Sequence, residues 1–261
     1  MTEKQKDLPQ MLVELSEYDG DDKIITSFDM KGIISQQPEI VPVMSKMPLL
    51  DRYTGGFCPG ELYGVSGPRK SGKTLYSQSL TTNFAKQDVM SLWFSYELHS
   101  REFITRFPGE LPVFLMPAKL KANSLEWLRA RIIEALAKYG VKFVFIDHLH
   151  YLFDLARMRN TSIEIGQVIR TLKTMAIELH ITIFLMCHMA KLDPHTEPSD
   201  DGIRDSSFIS QESDCVIMLW RDVKTENEAW AKVCFHRRTG ILEKKIRLVK
   251  VNGLLHEATN V

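Results

Sequence analysis

Apolar residues along this chain follow two rhythms. Residues 62–65, 91–95, 112–116, 141–146, 181–187 and 214–220 are short, nearly continuous apolar runs of strand length. Between them, apolar positions recur every three or four residues. A helix predicted over 123–139 places Leu125, Leu128, Ile132, Leu136 and Tyr139 on one face. It stops at Gly140, the residue type that most easily takes the left-handed turn at a helix end. A second helix, over 162–180, aligns Ile165, Ile169, Leu172 and Leu179. Strands apolar on both faces, separated by amphipathic helices, predict an α/β fold with a mostly parallel central sheet flanked by helices. Beyond residue 229 the helical rhythm ends. Segments 231–236, 245–251 and 254–256, with turns at Thr239-Gly240 and Asn252-Gly253, predict an antiparallel C-terminal extension.

Residues 1–45 read as an N-terminal arm and 46–261 as the main domain. In the arm, Leu8, Met11, Leu12 and Leu15 fall at helical spacing and predict one short amphipathic helix. Gly20-Asp21-Asp22 ends that pattern, and Pro38, Pro42 and Pro48 punctuate the approach to the main domain. An apolar stripe on an arm needs a partner surface, either the chain's own core or a neighbouring subunit.

Composition narrows the class. With 44% hydrophobic and 25% charged residues, wholesale disorder is excluded. No apolar run approaches the roughly 20 residues of a membrane span. The charged start, MTEKQKDLPQ, is not expected to be a signal peptide, so a cytoplasmic protein is expected. The net charge is zero, which argues against a uniformly basic coat. It is unevenly spread: residues 1–40 hold four Lys/Arg against nine Asp/Glu, leaving the other 221 residues at +5. Cys58, Cys187, Cys215 and Cys234 form no CxxC pair. They read as buried thiols in a reducing compartment, and no zinc site is expected.

The strongest motif is Gly67-Pro68-Arg69-Lys70-Ser71-Gly72-Lys73-Thr74. It matches G-x-x-x-x-G-K-[ST], follows the predicted strand at 62–65 and opens a helix predicted from Thr74, with the flanking Ser66 and Leu75 counted among the nucleotide-binding residues. Backbone N–H groups of such a bent loop, with the positive end of the helix, meet the dense negative charge of a triphosphate. Lys73 would place a cation on the β- and γ-phosphates, and the Thr74 hydroxyl would bind Mg²⁺. A second metal-side group should be an acid at the carboxyl end of a buried strand, and Asp147 is that acid. For orienting or deprotonating water there are two candidates, Glu97 and His148. Glu97 is favoured, because a carboxylate beside a metal-bound triphosphate suits a base. His148 and His150 do not read as a metal pair: no third ligand follows.

These residues, taken in order, resemble a known family. Thr54-Gly55-Gly56-Phe57-Cys58-Pro59-Gly60-Glu61-Leu62 resembles the entry to RecA-fold ATPases. Phe94-Ser95-Tyr96-Glu97-Leu98 is similar to the FSLEM segment of DnaB-family replicative helicases. Ile146-Asp147-His148-Leu149-His150 resembles their IDYLQ, and 184–189 resembles ALSQL. Residues 203–214 resemble LRESG…I.Q.AD, and His236-Arg237-Arg238-Thr239-Gly240 resembles KQRNG. The series spans about residues 48–256. The resemblance implies a RecA-like P-loop ATPase with Glu97 as catalytic base and Asp147 as Walker B acid. It puts His188 where the family has a γ-phosphate-sensing glutamine, and Arg238 at the arginine finger that reaches a neighbour's ATP. His236 replaces a lysine that assists the finger. His148 and His150 stand at positions that hold non-metal residues in the family, which also speaks against a metal pair. Arg204, Asp205, Ser206 and Ser207 match the central loop that tracks single-stranded DNA, and Lys191 lies in the same polar stretch.

The expected function is an ATP-dependent DNA helicase motor. It would use ATP and Mg²⁺ at the interfaces of a homo-oligomer, in a hexameric ring on single-stranded DNA. A chain of this length leaves no room for the family's large N-terminal domain or a primase module, so a loader or primase partner is expected. Two alternatives stand beside it: a recombinase-like or mediator ATPase that binds single strands without unwinding, and an ATP-gated assembly switch.

Overall fold

The computed structural model describes residues 7–107, 110–122, 124–152, 161–188, 197–198, 206–221, 225 and 227–258. Contacts divide the chain into two units, residues 1–40 and 41–261. The first holds two helices. Helix α1 (Leu8–Ser16) is capped by the Asp7 carboxylate, which accepts from the Gln10 N–H. Helix α2 (Ser27–Ser35) opens on a reciprocal cap in which Thr26 and Asp29 each accept from the other's backbone N–H. The hydrophobic pattern missed α2. The T-x-x-D signature ahead of it, in which an acid reaches back to the N-cap N–H, was the available signal.

The second unit is built on one eight-stranded sheet in the order β2-β3-β4-β1-β5-β6-β7-β8. Strands β1 (Leu62–Ser66), β2 (Ser91–Ser95), β3 (Phe143–Asp147), β4 (Thr182–Met186) and β5 (Cys215–Arg221) run parallel. Strands β6 (Glu228–His236), β7 (Ile241–Val251) and β8 (Leu254–Glu257) complete it as the antiparallel extension. Strands β1 to β4 are buried throughout, as parallel strands covered on both faces must be.

Strand alternation sorts the core into two layers. Val144, Ile146, Ile183, Leu185 and Val216 face one side, where Leu128 and Ile132 of α6 (Leu125–Tyr139) and Ile165, Ile169 and Leu172 of α7 (Thr161–Glu178) cover them. Phe143, Phe145, Phe184, Met186 and Ile217 face the other, under Leu50 of α3 (Pro48–Thr54) and Tyr76, Leu80 and Phe84 of α4 (Lys73–Ala85). This second layer is aromatic. Phe145 stacks on Trp93 and on Phe184, both at 4.7 Å between ring centroids, and Trp93 donates its indole N–H to Thr81 at 2.9 Å. Phe145→Ala is therefore expected to cost about 3–5 kcal/mol, read as a lower denaturation midpoint at unchanged slope.

Helix α6 starts at the Ser124 cap and ends on Gly140 in the left-handed region, φ 61°. The predicted strand at 112–116 does not form. Only Leu115 bridges the sheet, exchanging hydrogen bonds with Ser91 and Trp93 at the outer edge of β2. Pro112 and Pro117 flank it and carry no N–H to extend the ladder. The run covers a sheet edge instead of adding to it. Two short helices, α5 (Ser100–Thr105) and α8 (Ser206–Glu212), complete the described elements, with one 3₁₀ turn at Leu149–Leu152. Among the described residues, no helix is long and apolar enough to cross a membrane.

Candidate functional site

Strands β2, β3, β4 and β1 are neighbours, so their carboxyl ends bring distant segments of sequence to one edge. The loop after β1 is the phosphate-type loop. A Cβ on Gly67 would collide with the Leu219 carbonyl oxygen, so only glycine fits at this entry. Gly72 takes φ 98° and leaves the first turn of α4 with no side-chain cap. The N–H groups of that turn are thus uncommitted to a cap and carry the helix's positive end. Ser71 Oγ is buried with no hydrogen-bond partner among the described residues. Lys73 is buried and turns its ammonium back onto the carbonyls of Gly67, at 2.9 Å, and Pro68, at 3.0 Å. Burial lowers its pKa, and the nearby Asp147 carboxylate opposes that.

Asp147 ends β3, only 1% exposed, and accepts from the Thr74 hydroxyl at 2.8 Å. Burial raises its pKa, against the Thr74 hydrogen bond, which lowers it. This hydroxyl–carboxylate pair is an all-oxygen donor set of the kind Mg²⁺ takes. With a glycine loop that excludes side chains, a buried lysine and an unpartnered serine, the pocket fits Mg²⁺ and a triphosphate.

Glu97 follows β2, its backbone N–H donating to the Asp147 carbonyl at 3.3 Å. His148 Nδ1 lies 3.7 Å from its carboxylate, an ion-pair separation beyond hydrogen-bond length. The His148 ring is the main influence holding Glu97 down to about 2. At neutral pH Glu97 is thus a fixed anion. It accepts from a water readily but takes a full proton poorly, so geometry outweighs basicity in what it can do.

His188 follows β4, with its ring centroid 4.1 Å from that of His148. Burial, then the neighbouring His148, pushes its pKa from 6.5 to about 4, so it is neutral at physiological pH. The folded state therefore disfavours its protonation. Its contribution to stability is complete above pH 6.5 and is lost as pH falls to 4. Glu97 loses its contribution lower, between 4.5 and 2. In chelator-treated protein, His188→Gln is expected to flatten the decline of stability between pH 6.5 and 4. An unchanged slope in denaturant titrations would contradict this.

Arg238 lies elsewhere. It follows β6, whose end pairs with the start of β5 and hence the start of β1. Its Nε donates to Glu61 at 2.7 Å and its Nη2 to the carbonyls of Thr54 and Gly56, at 2.9 and 2.7 Å. Glu61 precedes β1, whereas the phosphate-type loop follows it. Six residues at roughly 3.3 Å each separate Glu61 from Gly67, so Arg238 is held about 20 Å from its own loop.

The family described as DnaB-like helicase C terminal domain matches residues 108–250, more than half of the chain. The chain belongs to this family. Curated relatives include a probable replicative DNA helicase of Trieres chinensis, 24% identical over 224 residues, covering 72% of this chain and 49% of the relative. The replicative DNA helicase DnaB of Haemophilus influenzae is 20% identical over 278 aligned residues, covering 91% of this chain and 59% of the relative. The chain spans about half the length of the curated relatives it matches. Among solved structures, one described as an ATPase domain superposes with a TM-score of 0.72 at 19% identity, covering 98% of this chain and all of the other. A DnaB-like replicative helicase, described with its interactions with primase, gives 0.70 at 22% identity, over 95% of this chain and 70% of the other. Both show the same RecA-like fold.

The site residues expected from the sequence fall into two groups. Lys73, Thr74, Asp147, Glu97 and His188 gather at one edge of the sheet, while Arg238 sits at the other. Lys191, Arg204 and Asp205 lie outside the described residues, and Ser206 and Ser207 open α8. Sequence reasoning missed Glu61. It is 7% exposed and holds Arg238 while accepting from the Cys58 N–H and the Tyr63 hydroxyl. Tyr63 in turn contacts buried His236 at 2.9 Å, so His236 is tied into this network. All four cysteines are buried.

Proposed function

We propose that this chain is the ATP-hydrolysing motor domain of a DnaB-like helicase. Nucleotide would bind between subunits of a homo-oligomeric ring, and turnover would drive movement on single-stranded DNA and unwinding of duplex. The observation that carries this reading is the division of the site. The phosphate-type loop, the Thr74–Asp147 pair and Glu97 share the carboxyl ends of the strands, while Arg238 is bonded to Glu61 at the opposite end of β1. In such a chain Arg238 reaches a triphosphate only in a second copy.

In this reading the N–H groups of 67–74 and the Lys73 ammonium bind phosphate oxygens, the ammonium exchanging two carbonyls for them. Thr74 and Asp147 would hold Mg²⁺, which neutralises charge on the β- and γ-phosphates. Glu97 orients water for in-line attack, and neutral His188 offers one hydrogen bond toward the γ-phosphate. A neighbour's Arg238, oriented by its own Glu61, stabilises charge in the transition state. Arg204, Asp205, Ser206 and Ser207, with Lys191, contact the DNA backbone. The apolar stripe of α1 suits a neighbouring subunit, residues 1–45 acting as a linker to the domain at 46–261. A hexameric ring, a loader or primase partner and a cytoplasmic location belong to the same proposal, the primase supported by one structural neighbour, a DnaB-like helicase described with its interactions with primase.

The test combines ATPase assays, with and without single-stranded DNA, with strand displacement on a forked duplex. Stimulated turnover with displacement is expected. Stimulated turnover without displacement would point to a recombinase-like or mediator ATPase, and no turnover to an ATP-gated switch.

A further inference from the structure

We propose that Glu97, His148 and His188 form a binding site for a transition-metal dication of the Zn²⁺ class, separate from the oxygen donors Thr74 and Asp147. The three residues come from β2, β3 and β4, adjacent strands of the sheet, each from the carboxyl end. They offer one carboxylate oxygen and two ring nitrogens, and these atoms all lie within 4.8 Å of one another. The third ligand that the sequence lacked next to His148 and His150 is supplied by fold topology.

A second observation points the same way. Nδ1 of His148 and Nδ1 of His188 are both buried without a hydrogen-bond partner among the described residues. The His148 side chain is nine-tenths buried, and its nearest acid is Glu97 at 3.7 Å. Buried polar nitrogens without partners are costly and uncommon, and a bound ion is one of their standard explanations.

The donor chemistry selects the ion. Two imidazoles and one carboxylate, with a fourth position open, is a ligand set that Zn²⁺ accepts. Mg²⁺ prefers oxygen throughout, and Zn²⁺ outranks it for nitrogen donors. Zn²⁺ bonds of about 2.1 Å place tetrahedral ligands roughly 3.4 Å apart, so the cluster needs only to tighten. Glu97, with 43% of its side chain exposed, has the freedom to do so. Among the described residues, the Lys73 ammonium acts on the cluster and opposes a cation, and the Asp147 carboxylate offsets it. His150 borders the cluster, its ring centroid 5.3 Å from that of His148.

Binding requires no assumption about turnover. Its consequence rests on the motor reading: a metal-ligated Glu97 cannot orient water, so the ion acts as a brake on hydrolysis, released when a chelator removes it.

The experiment titrates Co²⁺, a spectroscopic probe for Zn²⁺ sites, into the chelator-stripped full chain without nucleotide and with excess Mg²⁺. One-to-one binding with visible absorption bands is expected. His148→Gln and His188→Gln should each weaken it at least about tenfold, a loss that even outer-shell partners cause. His180→Asn, on an exposed histidine, should retain it, and circular dichroism of all variants checks folding. No visible bands, wild-type affinity in both site variants, or an intense near-ultraviolet thiolate band that assigns the ion to Cys187 would each overturn the site. Zn²⁺ inhibition of Mg²⁺–ATP turnover is measured separately. A stripped protein that hydrolyses no ATP would sink the motor reading and leave the Co²⁺ result standing.

Discussion

Lys73→Ala is expected to lower ATP turnover by at least about 10²-fold, the scale of losing one preorganised charge donor from a reaction centre. The argument starts from what Lys73 does without nucleotide. Its ammonium is buried, its pKa lowered by that burial, and its hydrogen bonds run to two loop carbonyls, Gly67 and Pro68. Carbonyl dipoles are weaker partners than phosphate oxygens, which carry full charge. Triphosphate binding therefore improves the position of a cation already desolvated, with little reorganisation. Alanine removes that charge and leaves the two carbonyls without their donor. Nucleotide affinity should fall together with turnover, since phosphates in the ground state also carry charge. Fluorescent-nucleotide binding and steady-state phosphate release separate the two effects. Turnover above a tenth of wild type, in a variant with an unchanged circular dichroism spectrum, would remove Lys73 from the phosphate site.

What could be read from the chain divides along physical lines. Helices α6 and α7 were legible because each buries a single face, and a buried face leaves a 3.6-residue period in the sequence. Strands β1 to β5 were legible as apolar runs because both sheet faces are covered. Residues 112–116 carried the same apolar signal, but strand formation depends on a neighbour's free edge and on N–H groups that flanking prolines lack. The phosphate-type loop was legible since all its parts are contiguous. The resemblance placed Glu97 and His188 at one reaction centre, but no local pattern showed that their side chains meet with His148, because strand order brings them together across some 90 residues. The bond of Arg238 to Glu61, 177 residues away, is the same kind of fact. Local pattern records which face is buried, whereas site geometry records which strands are neighbours, and one sequence carries no direct trace of the second.

The second large effect concerns Arg238. Arg238→Ala is expected to reduce turnover about 10³-fold or more, the range for losing an arginine finger. Alone, that loss would not say which subunit's nucleotide the arginine serves, so the decisive form is a mixture. Glu97→Gln subunits keep Arg238, and Arg238→Ala subunits keep Glu97, Lys73 and Asp147. Where the pocket of the second meets the arginine of the first, one interface is complete. Random mixing in equal amounts makes about one quarter of interfaces complete in a cyclic assembly. Turnover should rise well above either parent, while mixing Glu97→Gln with the double variant restores none. Folding is a fair concern, because Arg238→Ala takes a cation from Glu61. That carboxylate still accepts from the Cys58 N–H and the Tyr63 hydroxyl, and Arg238→Gln keeps a donor beside it as a second variant. Lysine is a poorer control, since it lacks the planar fork that binds Glu61 and two carbonyls together. If demonstrably mixed assemblies recover no turnover, or isolated Arg238→Ala chains hydrolyse ATP at the wild-type rate, the arginine belongs to the fold of its own subunit. Glu61 then acts as its structural partner and does not orient it for a neighbour.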